Sequence, residues 1–149
     1  MSVASATLEK RCHMSQLQCQ DAAKFALAGN AVFTIVSTKT GTRFTYRVRV
    51  CENDATLYFV QVLTGPDNTS DYKYLGIIRR GVFFWTRKSS IARDAPSSRA
   101  FEWFWAHTMR GDLAGVDIHH EGRCGRCGRA LTVPESIQSG FGPECINKL

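Results

Sequence analysis

The sequence predicts an α+β fold: a small antiparallel β-sheet packed by one or two helices, plus a cysteine-bearing C-terminal module. Three observations carry that expectation. Hydrophobic residues alternate with period two through much of residues 31–88, segments with helical spacing flank that stretch, and a C-x2-C pair at Cys124 and Cys127 is followed by Cys145. With 44% hydrophobic and 11% aromatic residues, including nine Phe and three Trp, there is enough apolar side chain to build a core, so a disordered chain is excluded.

The elements follow in order. Residues 15–28 place Leu17, Ala22, Phe25, Ala26 and Leu27 near one helical stripe, with Ser15 as N-cap and Gly29 as the stop. From Ala31 the period becomes two: AVFTIVS, the turn TKTGT, then RFTYRVRV with Phe44, Tyr46, Val48 and Val50 on one face. TLYFVQVL, YKYLGIIRR and VFFWTRK continue the alternation between polar turns, giving four or five antiparallel strands. After Pro96, SSRAFEWFWAHTMRG returns to helical spacing, with Ser97 or Ser98 as N-cap and Phe101, Phe104, Trp105 and Thr108 or Met109 along one side.

The strongest chemical signal is the tail. Counted from His120 its spacing is H-x3-C-x2-C-x17-C. Two thiolates on one tight C-x2-C turn point at the same ion, Gly128 relieves that turn, and the Gly-Pro turn before Cys145 returns a third thiolate to it. Structural zinc takes four ligands, so the expected set is His120, Cys124, Cys127 and Cys145 around Zn2+. His119 competes for the fourth place; the three-residue spacing into Cys124 favours His120. The resulting division is a flexible arm over 1–14, an α+β domain over 15–112 and a zinc-binding module, a C-terminal zinc finger, over 113–149. Cys12, His13 and Cys19 are too few to form a second site and read as free thiols with a neighbouring imidazole.

A net charge of +6 and a pI near 9.2 suit phosphate backbones or an acidic protein surface and exclude acidic mimicry of DNA. Arg123, Arg126 and Arg129 surround the knuckle, and Arg79, Arg80, Arg87 and Lys88 interleave with Phe83, Phe84 and Trp85; these seven cations are the expected nucleic-acid or partner contacts. Arg43, Arg47 and Arg49 alternate with Phe44, Tyr46 and Val48 in the same way, a pattern that also arises wherever a half-buried strand turns apolar residues inward and charges outward. There is no apolar run of about 18 residues and no signal-peptide pattern, so a soluble protein of the cytoplasm is expected, with no membrane partner.

The string HEGRCGRCGRALTVPESIQSGFGPEC resembles the zinc-finger segment of an uncharacterised family of bacteriophage and prophage proteins, whose pattern is C-x2-C-G-R, L-T, P-x-S and a closing G-x-G-P-x-C. AGNAVFTIVSTKTGTRFTYRV and the FEWFW helix are similar to the upstream part of such proteins. The resemblance implies zinc and a mobile-element origin and brings no biochemical activity; the expected localisation is then the host cell cytoplasm.

No Walker loop, G-x-S-x-G elbow or recognisable carboxylate pair is present, and no small-molecule substrate suggests itself. DIHH beside a knuckle is similar to phage endonuclease fingers, but those place a catalytic His and Asn around a second metal, and Asn147 is the only Asn after the knuckle. A metal-dependent nuclease therefore ranks below two non-enzymatic readings. One is a zinc-containing nucleic-acid-binding accessory protein; the other is a protein-interaction module that inhibits or redirects a host defence protein.

Overall fold

The computed structural model describes residues 16–67 and 70–148. Ser15, Cys12 and His13 lie outside the described residues, as does the side chain of Cys19. In chain order the elements are β1 (Gln16–Leu17), α1 (Cys19–Ala26), β2 (Asn30–Ser37), β3 (Arg43–Cys51), β4 (Asp54–Leu63), β5 (Tyr72–Arg79), β6 (Val82–Trp85), α2 (Pro96–Met109), β7 (Val116–His120) and α3 (Pro134–Ser139), ending in a 3-10 turn, Cys145–Lys148. The strands form one seven-stranded sheet in the order β1-β7-β2-β3-β4-β5-β6, and every neighbouring pair is antiparallel.

The expected strands β2 to β6 are present, and two more extend the sheet. Residues 16 and 17, expected inside a helix, instead pair with β7 through Gln16↔His119 and Leu17↔Ile118. The sheet satisfies their backbone groups, and α1 starts only at Cys19, after Gln18, with no side-chain cap. The segment DIHH becomes β7, inserted between β1 and β2, so the stretch 113–149 contributes a strand to the sheet of 15–112.

On one face of the sheet, Phe33, Tyr46, Val48, Val60 and Ile78 are buried. Phe101 of α2 meets Tyr46 at 4.9 Å and Phe83 at 4.8 Å between ring centroids, and Phe104 meets Phe33 at 5.5 Å. Tyr46 donates its hydroxyl to the Ser97 carbonyl at 2.7 Å, and burial raises its pKa far above the usual phenol range. The helix α2 begins at Pro96, one residue before the serines expected to cap it. Ser98 is buried and donates instead to the Ala92 carbonyl at 2.7 Å, bracing the loop that enters the helix. Along α2, Phe101, Phe104, Trp105 and Thr108 are buried, whereas Met109 is exposed.

The pairing of β4 with β5 shifts register between Val60 and Gln61, where Val60 faces Gly76 but Gln61 faces Tyr74. The extra residue at Leu75 reverses the alternation of β5. Leu75 and Ile78 both reach the core, while Tyr72 and Tyr74 stand on the opposite face with Ile77 and Arg79. Among the described residues no helix is long and apolar enough to cross a membrane.

Truncating Phe101 to alanine removes a ring packed against Tyr46, Phe83 and Phe104. The expected loss is about 3–5 kcal/mol of unfolding free energy, measured by urea denaturation.

Candidate metal centre and basic sheet face

The Cys module is built on a tight reversal. Arg123 bridges to Ala130, the Cys124 amide donates to the Arg129 carbonyl at 2.8 Å, and the Gly128 amide returns to the Cys124 carbonyl at 2.9 Å. Gly128 sits at φ 80°, the left-handed conformation that a side chain disfavours, so the residue after the C-x2-C pair closes the turn without strain. The short helix α3 and the 3-10 turn then carry Cys145 back to the knuckle.

The Sγ atoms of Cys124, Cys127 and Cys145 all lie within 4.8 Å of one another. Tetrahedral zinc with Zn–S bonds near 2.3 Å requires sulfurs roughly 3.8 Å apart, so small side-chain adjustments suffice to seat one ion. The local field acts differently on the thiols. Burial pushes the Cys124 thiol up, but the backbone amides of Cys127, Gly142 and Arg126 more than offset it and hold its pKa down to about 7. At Cys127 the Arg129 amide lowers the pKa, yet burial and the thiol's bonds to Cys124 and Cys145 outweigh it and leave it raised. The Arg126 guanidinium lies 3.6 Å from the Cys145 sulfur, and Arg129 lines the pocket beside the three thiols. The Arg126 guanidinium is therefore placed to counter thiolate charge at Cys145.

The structure does not bring His120 into this cluster. Its Nδ1 accepts the Gly122 amide at 2.9 Å, its Nε2 meets the Ile137 carbonyl, and its ring packs 5.9 Å from Phe25. These bonds assign the proton to Nε2 and make His120 a clamp between the end of β7 and α3. His119 turns to the other face of the sheet, opposite Thr34 and Gln16. Sequence spacing places a histidine near the knuckle but does not show that backbone groups occupy both ring nitrogens.

The face of the sheet opposite Tyr46 and Phe33 holds the other cluster. Cross-strand register sets Arg49 beside Phe59, then Ile77 and Phe84; Arg47 stands beside Gln61, then Tyr74. Arg47 donates to Gln61 Oε1 at 2.7 Å and lies 4.2 Å above the Tyr72 ring. Burial, with the like charge of Arg49, lowers its pKa, while Tyr72 acts in the opposite direction. A pocket of about 410 Å³ opens here, lined by Thr45, Arg47, Arg49, Tyr72, Glu121 and Arg123 among others.

The expected contacts divide accordingly. Arg123 reaches the pocket, Arg79 shares its sheet face, Arg126 turns to the Cys145 sulfur, and Arg129 lines the pocket beside the thiols. Arg80 forms the β5–β6 turn at φ 52°, and Arg87 and Lys88 lie exposed in the turn after β6. Arg47, Arg49, Tyr72 and Glu121 were not among the expected contacts. Their only sequence signal is the outward half of the period-two pattern, and the bulge that positions Tyr72 leaves no local trace.

Residues 117–149 match the model of DUF6011, a family of unknown function. That match spans β7, the knuckle, α3 and Cys145, so the residues most similar to the family include the whole thiol cluster. No curated protein and no solved structure matches the chain.

Two outcomes separate the clamp from a ligand role. Cys124→Ser is expected to abolish stoichiometric metal binding, whereas His120→Ala retains it and costs about 1–3 kcal/mol of stability from the unmade buried bonds; loss of metal from the His120 variant would restore it as a ligand. Burial lowers the His120 pKa from 6.5, against the raising effects of the Ile137 bond and Glu121, with His119 lowering it further. The unfolded chain therefore takes up this proton first. Stability attributable to His120 is complete above pH 6.5 and lost as pH falls below it, a dependence that urea titrations should find missing in His120→Ala.

Proposed function

We propose that this chain is a non-enzymatic, zinc-containing nucleic-acid-binding accessory protein of a phage or prophage, acting in the host cytoplasm. One observation carries the reading: Arg47, Arg49 and Arg79 share a sheet face with Phe59, Tyr72 and Tyr74, and Arg123 joins them at the pocket. Cations beside half-buried and exposed aromatic rings are the chemistry that holds phosphates and stacks bases, and the net charge of +6 agrees in sign. Zinc is the metal that three clustered thiolates in a small module favour. Its part is to hold the turn from which Arg123 projects.

A second reading, docking on an acidic surface of a host defence protein, draws on the edge strand β6. Val82 and Phe84 are 50% and 49% exposed there, and Met109 is also exposed. An exposed apolar strip beside cations suits a protein partner as well as a nucleic acid.

Equilibrium binding of the zinc-loaded protein to short single- and double-stranded DNA and RNA, titrated with KCl, tests the proposal. Affinity is expected to fall log-linearly with salt, with a slope of about −2 to −3 if Arg49, Arg79 and Arg123 each neutralise one phosphate. No binding to any of these probes at low salt contradicts the proposal and leaves the protein-docking reading in its place.

A further inference from the structure

The pocket at Arg47, Arg49 and Arg123 is not uniformly basic. Glu121 stands in its lining, and its carboxylate is fixed: Thr34 donates to Glu121 Oε1 at 2.6 Å, and Thr34 in turn shares a 2.7 Å hydroxyl contact with Thr45. A site that served only to attract phosphate would gain nothing from a positioned carboxylate, which repels it. The arrangement suits a ligand that brings both an anion and a pair of N–H donors.

The flat partner of that arrangement is also in place. Arg47 is held by Gln61 and lies over Tyr72, so its guanidinium and the phenol ring form a layered platform in the pocket. Guanidinium planes and aromatic rings are surfaces on which unpaired bases stack. Arg49 and Arg123 line the same pocket and can take a flanking phosphate, and a volume of about 410 Å³ accommodates one nucleotide.

We infer that this pocket seats one unpaired guanine nucleotide of a single-stranded nucleic acid. The base stacks on the Arg47–Tyr72 platform and offers two N–H donors of its pairing edge to Glu121, while Arg49 and Arg123 hold phosphate. Guanine fits because its ring N–H and amino group lie side by side and match the two oxygens of a carboxylate. Thymine and uracil offer carbonyls on either side of one N–H and meet the carboxylate with repulsion. In a duplex the pairing edge is occupied, so the pocket selects single strands. The inference rests on the nucleic-acid reading above and adds strandedness and base preference to it.

The test uses fluorescence anisotropy of the metal-loaded full chain with three probes: an oligothymidine, the same oligomer carrying one central guanine, and a duplex of equal length. The guanine oligomer is expected to bind roughly tenfold or more tighter than oligothymidine, and oligothymidine tighter than the duplex. Glu121→Gln, at an exposed position, erases the guanine preference while leaving or raising oligothymidine affinity, because it removes a negative charge. Tyr72→Ala weakens both single strands and spares the duplex, whereas Tyr72→Phe retains the ring and the affinity, which separates stacking from misfolding. Equal binding of all three probes, unchanged in Glu121→Gln, overturns this inference and leaves nucleic-acid binding standing. Absence of binding to every probe overturns both.

Discussion

The attachment of the Cys module to the start of β2 is the constraint on which the candidate site depends. The Asn30 amide donates to the Gly125 carbonyl at 2.8 Å, and the Asn30 side chain donates to the Arg126 carbonyl at 2.8 Å. Gly125 lies so close to Phe25 that a Cβ there would stand 2.7 Å from the ring, so only glycine lets the knuckle settle this deeply. Two backbone carbonyls of the C-x2-C turn are thereby held at the start of β2. The orientation of the thiols, the packing of His120 against Phe25 and the approach of Arg123 to the sheet face all depend on that seating.

The C-x2-C turn and a sheet strand thus form one mechanical unit. β7 runs between β1 and β2 and leads within a few residues to Glu121, Arg123 and Cys124. Arg123 also donates to the Gly128 carbonyl at 3.3 Å, which ties its guanidinium to the turn that the metal would close. A metal at the three thiols therefore has a physical route to the basic face: it limits the conformations of the segment that supplies Arg123. A metal bound there would order that segment.

Much of the sheet was legible because β2 to β5 run 8–10 residues with period-two patterning, and the short β6 follows on β5 across one tight turn. The two additional strands were not. Gln16–Leu17 is too short to show a period, and within DIHH only Ile118 signals burial on an apolar side chain. The helix caps failed for a related reason: Pro96 preorganises the start of α2, and the loop before it uses Ser98 as a brace. At the site, the three cysteines were legible because their spacing encodes a local turn. The setting of His120 was not, since Ile137 and Phe25 reach it only through the fold. The Arg47–Tyr72 platform likewise needs a β-bulge and three strands to bring its parts together.

The most direct test of this account is hydrogen exchange, followed by mass spectrometry, on the metal-loaded protein with and without a chelator. If the module and sheet are one unit, chelation speeds exchange in residues 122–131 and also at Asn30, whose amide bonds the Gly125 carbonyl, and along β7, which leads into the knuckle, while the β3–β4 centre stays protected. Faster exchange confined to residues 124–148, with Asn30 and β7 unchanged, would contradict it and make the Cys module an independent appendage.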